Sequence, residues 1–244
     1  MSIRHQFLKS HWNSSADAPL RRLTFMAALL LVLGPSAAQA QSVPKPMEKP
    51  AVAGENAEAV TPTTSCVGDL ETAGVAAAAA AMDGNGQCIV VDPVTVESVE
   101  THSGTVSFTA RPVVACRFAA VLAAWLREVV SPAAASLLGS PVDAVVTGPG
   151  YQCRARAGGR LSEHATGNAI DVSEIRLDNG RRIALASLME AEGAEREFLR
   201  AMTASACGYF TTVLGPGSDA AHADHLHIDL AERKTAEYRI CMAR

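Results

Sequence analysis

Three histidines fall within six residues near the C-terminus: His222, His225 and His227, in the run His-Ala-Asp-His-Leu-His. The chain has seven histidines and two of them lie in its first eleven residues, so this clustering is far from background. Imidazole ligates zinc and moves protons near neutral pH. Leu226, Ile228 and Leu230 alternate with His225, His227 and Asp229, the pattern of a half-buried strand. Side chains on a strand alternate between faces, so His225, His227 and Asp229 are expected on one face and the apolar residues in the core.

A second group stands upstream. Ser162-Glu163-His164 leads through Gly167 to Asp171, seven residues after His164. Ala169-Ile170-Asp171-Val172 also alternates like a strand, which turns the carboxylate away from Ile170 and Val172. His164, Asp171 and one histidine of the C-terminal cluster make a three-ligand zinc set with an open fourth position. The remaining histidines of the cluster are then candidates for proton transfer. A metal-free reading stands beside this one, in which the histidines form a structural hydrogen-bond cluster.

The elements that would carry these residues are legible in outline. Cys88 to Val99 reads as extended, with an edge at Pro93. Phe118, Val121, Leu122, Trp125, Leu126, Val129 and Val130 recur at helical spacing. Ser131-Pro132 fits the N-cap and first residue of a second short helix ending at Gly139. Strands are predicted over 143–147 and 169–177, and Asp178-Asn179-Gly180 turns the latter into residues 181–183. Residues 189–206 read as a helix, and 210–214 and 225–230 as strands. The alanine run 76–81 fits neither a helix nor an insertion decisively. Few helices and several turn-linked strands predict an α+β domain around a small antiparallel sheet. Tyr209 and Phe210 read as core, and His102, in a polar Thr-His-Ser-Gly turn, as surface.

The N-terminus indicates a compartment. Arg21-Arg22 precede an eleven-residue apolar run, Leu23 to Leu33, and Ala38-Gln39-Ala40 offers a cleavage site before Gln41. This is the form of a secretory signal peptide over residues 1–40. An uncleaved anchor is the other reading, but the run is short of the roughly 20 residues a spanning helix needs. The residues after the arginine pair fit a twin-arginine signal poorly, and no later segment reads as a membrane span. The expected location is periplasmic or secreted. Residues 41–65, rich in Pro, Ala, Glu and Thr, read as a disordered linker, and 66–244 as one domain. Without residues 1–40 the chain carries a net charge of −7, which argues against nucleic acid and anionic lipid as partners. All six cysteines, Cys66, Cys88, Cys116, Cys153, Cys207 and Cys241, follow the signal. An even count in an exported chain predicts three disulfides, with the neighbours Cys66 and Cys88 expected as one pair.

Taken together, Ser162-x-His164-x-x-Gly167-x-Ala169-x-Asp171 and His225-x-His227 resemble the signature of the D-Ala-D-Ala metallopeptidases. That group includes lysostaphin-type peptidases and the zinc-binding domain of hedgehog proteins. The additional His222 resembles the penicillin-insensitive murein endopeptidases. More closely, Cys66 to about Leu230 resembles the bacterial extensin-like C-terminal family, through Cys116-Arg117, Tyr151-x-Cys153-Arg154, the Ser-x-His motif and the closing histidines. The Ser-Pro repeats of extensin itself are absent.

The resemblance implies a hedgehog-like fold, zinc held by His164, Asp171 and His227, and His225 and His222 as general base and transition-state stabiliser. It implies peptidoglycan as substrate, cut by zinc-activated water at bonds to D-amino acids. Related peptidases often use a Glu as base. None lies just before His227, so a histidine serves or the site is not hydrolytic. The alternative is a non-catalytic zinc module that binds wall components or a partner protein. Arg154 resembles a substrate-facing arginine, although Gly150-Tyr151-Gln152-Cys153-Arg154 departs from the family's Gly-Tyr-Arg spacing and a surface role is the other reading. Ser162 either contacts substrate or holds its loop. Asp224 is a candidate to orient His222 or His225, and Asp229 could act similarly.

Overall fold

The computed structural model describes residues 64–82, 86–156, 158–235 and 238–243. The expected signal peptide and nearly all of the expected linker lie outside these residues. Thr64 and Ser65, assigned to the linker from sequence, instead open helix α1 (Thr64–Thr72).

Among the described residues, ten strands form one mixed sheet: β1 (Val75–Ala79), β2 (Pro93–Thr101), β3 (Gly104–Phe108), β4 (Val113–Ala115), β5 (Val142–Thr147), β6 (Ala169–Leu177), β7 (Arg182–Ala184), β8 (Thr212–Leu214), β9 (Leu226–Asp229) and β10 (Ile240–Cys241). The order is β1-β2-β3-β5-β6-β9-β8-β10, with β4 beside β2 and β7 beside β6. The small antiparallel sheet expected from sequence is therefore too simple. β3 pairs parallel with β5, and β8 with β10. Turn signals report hairpins between neighbours in sequence, whereas these parallel pairs follow long crossovers that leave no local mark. The alanine run supplies β1, whose Val75 is buried and whose partner is β2.

Two helices complete the core. Helix α2 runs without interruption over Cys116–Leu138, and α3 over Gly193–Tyr209. The expected break at Ser131-Pro132 does not occur. A proline inside a helix crowds the preceding turn and removes a donor. Here the turn before it, Leu126–Val130, widens into π-helix, and the chain passes through Pro132 still helical. Ser131 is no cap; it is buried, with Oγ 3.2 Å from Thr101 Oγ1. Gly139, at φ 71°, ends the helix in the left-handed conformation. Read as two pieces, this segment gave no spanning length. Its 23 residues, which include an 18-residue stretch of mean hydropathy 1.4, are in fact long and apolar enough by composition to cross a membrane. Its apolar side is taken up by the domain itself: Phe118, Leu122, Trp125, Leu126 and Val130 are at most 1% exposed. Phe210 packs edge-on against Trp125, with ring centres 5.6 Å apart, and Trp125 Nε1 donates to Ser205 Oγ of α3 at 3.0 Å. Tyr209, expected in the core, is only half-buried and donates to Glu128.

The cysteines pair as Cys66–Cys116, Cys88–Cys153 and Cys207–Cys241. The expected Cys66–Cys88 pair is wrong. Cys66 lies on α1, which packs against the start of α2, while the strands between place Cys88 beside the segment after Gly150. Sequence proximity does not measure proximity across a sheet.

Closing a loop of 65 residues, Cys88–Cys153 is the longest-range of the three bonds. The chain-entropy model assigns such a link about 4 kcal/mol. Replacing both cysteines with serine is expected to lower urea stability by about that amount; an unchanged midpoint and slope would contradict it.

Candidate metal centre

The register between β6 and β9 builds the centre. Asp171 lies directly opposite His227, with Ile170 opposite Ile228 and Val172 opposite Leu226. Cross-strand partners share a face, so the apolar pairs enter the core while carboxylate and imidazole emerge together. All four residues of β9 are buried, because β8 covers its other edge.

His164 arrives from the 3-10 turn Glu163–Thr166. Ser162 Oγ accepts the His164 backbone N–H at 3.4 Å, and Gly167 ends the turn at φ 68°. A side chain at Gly167 would place its Cβ 2.6 Å from Val90 and 2.7 Å from the Ala115 nitrogen, so only glycine fits. His164 Nδ1 donates to the Gly150 carbonyl at 2.7 Å. A carbonyl only accepts, so in the neutral ring the lone pair is on Nε2.

Three atoms then converge. His164 Nε2 lies 3.2 Å from His227 Nδ1 and 3.3 Å from Asp171 Oδ1, and His227 Nδ1 lies 2.9 Å from the same oxygen. Zinc ligands at tetrahedral angles and bond lengths of 2.0–2.1 Å stand about 3.3 Å apart. Two edges of the triangle match that spacing, and the third, at 2.9 Å, is shorter. On its far side His227 Nε2 meets Asp229 Oδ2 at 3.2 Å, and Asp229 is fully buried. A carboxylate on one ring nitrogen fixes the tautomer and turns the other lone pair inward, the usual support for a metal-bound histidine. Two imidazole lone pairs and a carboxylate facing one point need a cation or a shared proton between them. This donor set fits a metal.

The electrostatics agree. Burial alone would raise Asp171, but the two imidazoles hold its carboxyl well below the usual range. Burial opposes the His227 imidazolium, yet Asp171 and Asp229 together push its pKa up to about 9. Burial likewise opposes ionisation of Asp229, and its bonds from His227 and the Ala231 N–H lower it instead.

His222 and His225 border the centre, each about one-fifth exposed. His225 Nε2 is 3.7 Å from Asp171 Oδ1. The His222 ring lies 5.4 Å from that of His225 and 5.7 Å from that of His227. Each holds its Nδ1 on a carboxylate: His225 on Asp224 at 2.8 Å and His222 on Asp219 at 2.7 Å. Both carboxyls are lowered by these hydrogen bonds. Of the two orienting aspartates considered from sequence, Asp224 therefore contacts His225 and Asp229 contacts His227. His225 itself precedes β9 rather than belonging to it.

Two residues sit less centrally. Ser162 is buried and directs its hydroxyl to the turn backbone. Arg154 is exposed; its carbonyl accepts from Ser162 N, and its guanidinium makes no hydrogen bond or ion pair among the described residues. Arg156 reaches the centre in its place, 3.3 Å from Glu163 and 3.9 Å from Asp229. Burial and the Asp229 charge raise the Glu163 pKa. Sequence reading missed Arg156, Glu163 and Asp219. Asp219 had a usable signal, since an aspartate three residues before a histidine often caps a short turn, as it does here for Ala221 and His222.

The family model for the extensin-like protein C-terminus matches residues 64–242, a span that includes every residue of the centre. Comparison with curated proteins and with solved structures gives no significant match.

With a pKa near 9, raised above the ordinary 6.5, His227 is protonated at pH 7 in metal-free protein. A zinc ion bound there would have to displace that proton. Calorimetry in buffers of different ionisation enthalpy is expected to show about one proton released per zinc at pH 7, and affinity rising about tenfold per pH unit until about pH 9. In metal-free protein the stabilisation from the imidazolium is complete below pH 6.5 and lost as pH rises through about 9, so its melting temperature is expected to fall over that window. Zinc binding with no buffer dependence would contradict the assignment.

Proposed function

The chain belongs to the extensin-like C-terminal family, and from that premise and the centre's geometry we propose that it is an exported zinc metallopeptidase acting on peptidoglycan peptides. It is kin to the D-Ala-D-Ala metallopeptidases and murein endopeptidases and cuts bonds to D-amino acids, as an endopeptidase or a carboxypeptidase. The observation that carries this reading is the pairing of a convergent His164–Asp171–His227 donor set with two further histidines, each anchored on its own aspartate.

His164, Asp171 and His227 would hold the zinc, which would supply a Lewis acid and activate water near neutral pH. The protein supplies the proton chemistry. Because Asp224 accepts from His225 Nδ1, the neutral ring carries its lone pair on Nε2, the atom nearest Asp171. His225 is placed to take a proton from water and deliver it to the leaving amine. His222 holds its Nδ1–H on Asp219 in the same way, and in its protonated form its Nε2–H donates to the carbonyl oxygen as negative charge develops there. Two histidines thus fill the place of the glutamate that many zinc peptidases use. Asp229 and the Gly150 carbonyl hold the ligand rings in their tautomers. The periplasm or cell exterior, the location expected from the leader, is where this polymer lies.

Digestion of purified peptidoglycan by zinc-loaded protein, with products read by mass spectrometry, tests the reading. Loss of cross-linked dimers marks an endopeptidase, and loss of terminal D-Ala a carboxypeptidase. His225→Ala is expected to lower kcat by about 10²–10⁴-fold with zinc content unchanged, and His222→Ala to lower it with zinc likewise retained. Full zinc occupancy with unaltered peptidoglycan would replace the peptidase with a zinc-containing binding module. Protein that folds without zinc but fills with iron would overturn the metal assignment, since two histidines and a carboxylate also suit that ion.

A further inference from the structure

Three arginines from separate parts of the chain line one cleft of about 420 Å³: Arg117 from the first turn of α2, Arg233 from the segment after β9, and Arg239 just before β10. Glu232 is the single carboxylate in the lining among the described residues. Glu128, tied to the lining through Tyr209, already accepts that hydroxyl.

Among the described residues, unpaired arginines occur elsewhere on the surface, Arg154 among them, but these three share one cleft, whereas several others are neutralised by a carboxylate. Arg111 pairs with Glu97, Arg176 and Arg182 with Glu174, and Arg181 with Glu195. Among the described residues, none of the three cleft arginines has an ion-pair partner. Arg233 gives one N–H to Thr212 Oγ1, while its Nε is buried with no acceptor. Arg239 gives one N–H to the Phe210 carbonyl at 2.6 Å. A buried guanidinium N–H left without a partner is costly, and the fork geometry of arginine suits oxyanions. Exported protein carries a net charge of −7, so this concentration of cations is local and runs against the overall charge.

The metal centre is linked to the cleft through Asp229. Thr211 lines it, and Thr211 Oγ1 lies 3.2 Å from the backbone carbonyl of Asp229, the residue that holds His227. The end of β9 therefore serves both places.

We propose that this cleft is a subsite for the free carboxylates of the wall polymer's peptides, gripping an acidic residue away from the bond being cut. The proposal rests on the peptidase reading above. It gives the chain a way to favour acidic stem peptides over neutral ones through cations set apart from the metal ligands.

The test uses zinc-loaded protein and a double variant, Arg117→Gln with Arg239→Gln, both exposed positions, so that Arg233 stays in place to support the fold. Zinc content and melting temperature verify integrity. Calorimetry compares a soluble muropeptide, the same muropeptide with its carboxylates amidated, and inorganic phosphate. The expected result is at least tenfold tighter binding of the natural form than of the amidated one, with the difference abolished in the double variant. Hydrolysis without that preference, or a preference that survives in the variant, overturns the subsite and leaves the peptidase reading intact. A preference lost in the variant, in protein that cuts nothing, supports the subsite and overturns the peptidase. Phosphate bound more tightly than the natural muropeptide, and lost in the variant, overturns the carboxylate assignment.

Discussion

The centre depends above all on the pairing of β6 with β9. Asp171 faces His227 only because Ile170 faces Ile228 and Val172 faces Leu226. A slip of one residue would turn the carboxylate and the imidazole into the core and push the apolar pairs out. Burial of those apolar residues therefore sets the position of the polar ones. The fully buried Ile170, Ile228 and Leu226 are as much a part of the metal site as the residues that would touch the ion.

Around this pair, the rest of the fold brings in His164 and holds it. The turn that carries it is capped by Ser162, closed by Gly167 and seated against Val90 and Ala115. The ring is oriented by the Gly150 carbonyl, and Gly150 itself, at φ 77°, fits against the Val113 carbonyl where no side chain could. Cys88–Cys153 ties the segment containing Val90 to the one following Gly150. Two buried imidazoles, each with its outer nitrogen satisfied, and a part-buried carboxylate thus meet at one point with their inner lone pairs unopposed. That arrangement costs free energy unless a proton or a cation occupies it.

Much of this was legible in the sequence, for identifiable reasons. Alternation around Asp171 and His227 reported strands, and it also reported which side chains share a face. Histidine clustering and the Ser-x-His spacing pointed to residues that the fold brings together. What escaped were features with no local signature. The parallel pairing of β3 with β5 follows a crossover through the whole of α2. The helix continued through Pro132 because the wide turn before it absorbs the clash, which the local pattern of Ser-Pro does not reveal. Disulfide partners are set by the sheet, not by spacing along the chain. Arg156 rather than Arg154 reaches the centre because the chain is extended there, with Ala155 bridged to Leu161, so neighbouring positions two apart differ in what they meet rather than in which way they point.

The central claim is that His164, Asp171 and His227 hold one zinc ion while His222 and His225 stay free of it. Anomalous diffraction at the zinc edge from crystals of the metal-loaded protein measures this directly. The account predicts one peak about 2.0–2.1 Å from His164 Nε2 and His227 Nδ1 and about 2.0–2.2 Å from an Asp171 oxygen, with both other imidazoles outside bonding distance. A peak coordinated by His222 or His225, or no peak inside the triangle, would contradict it.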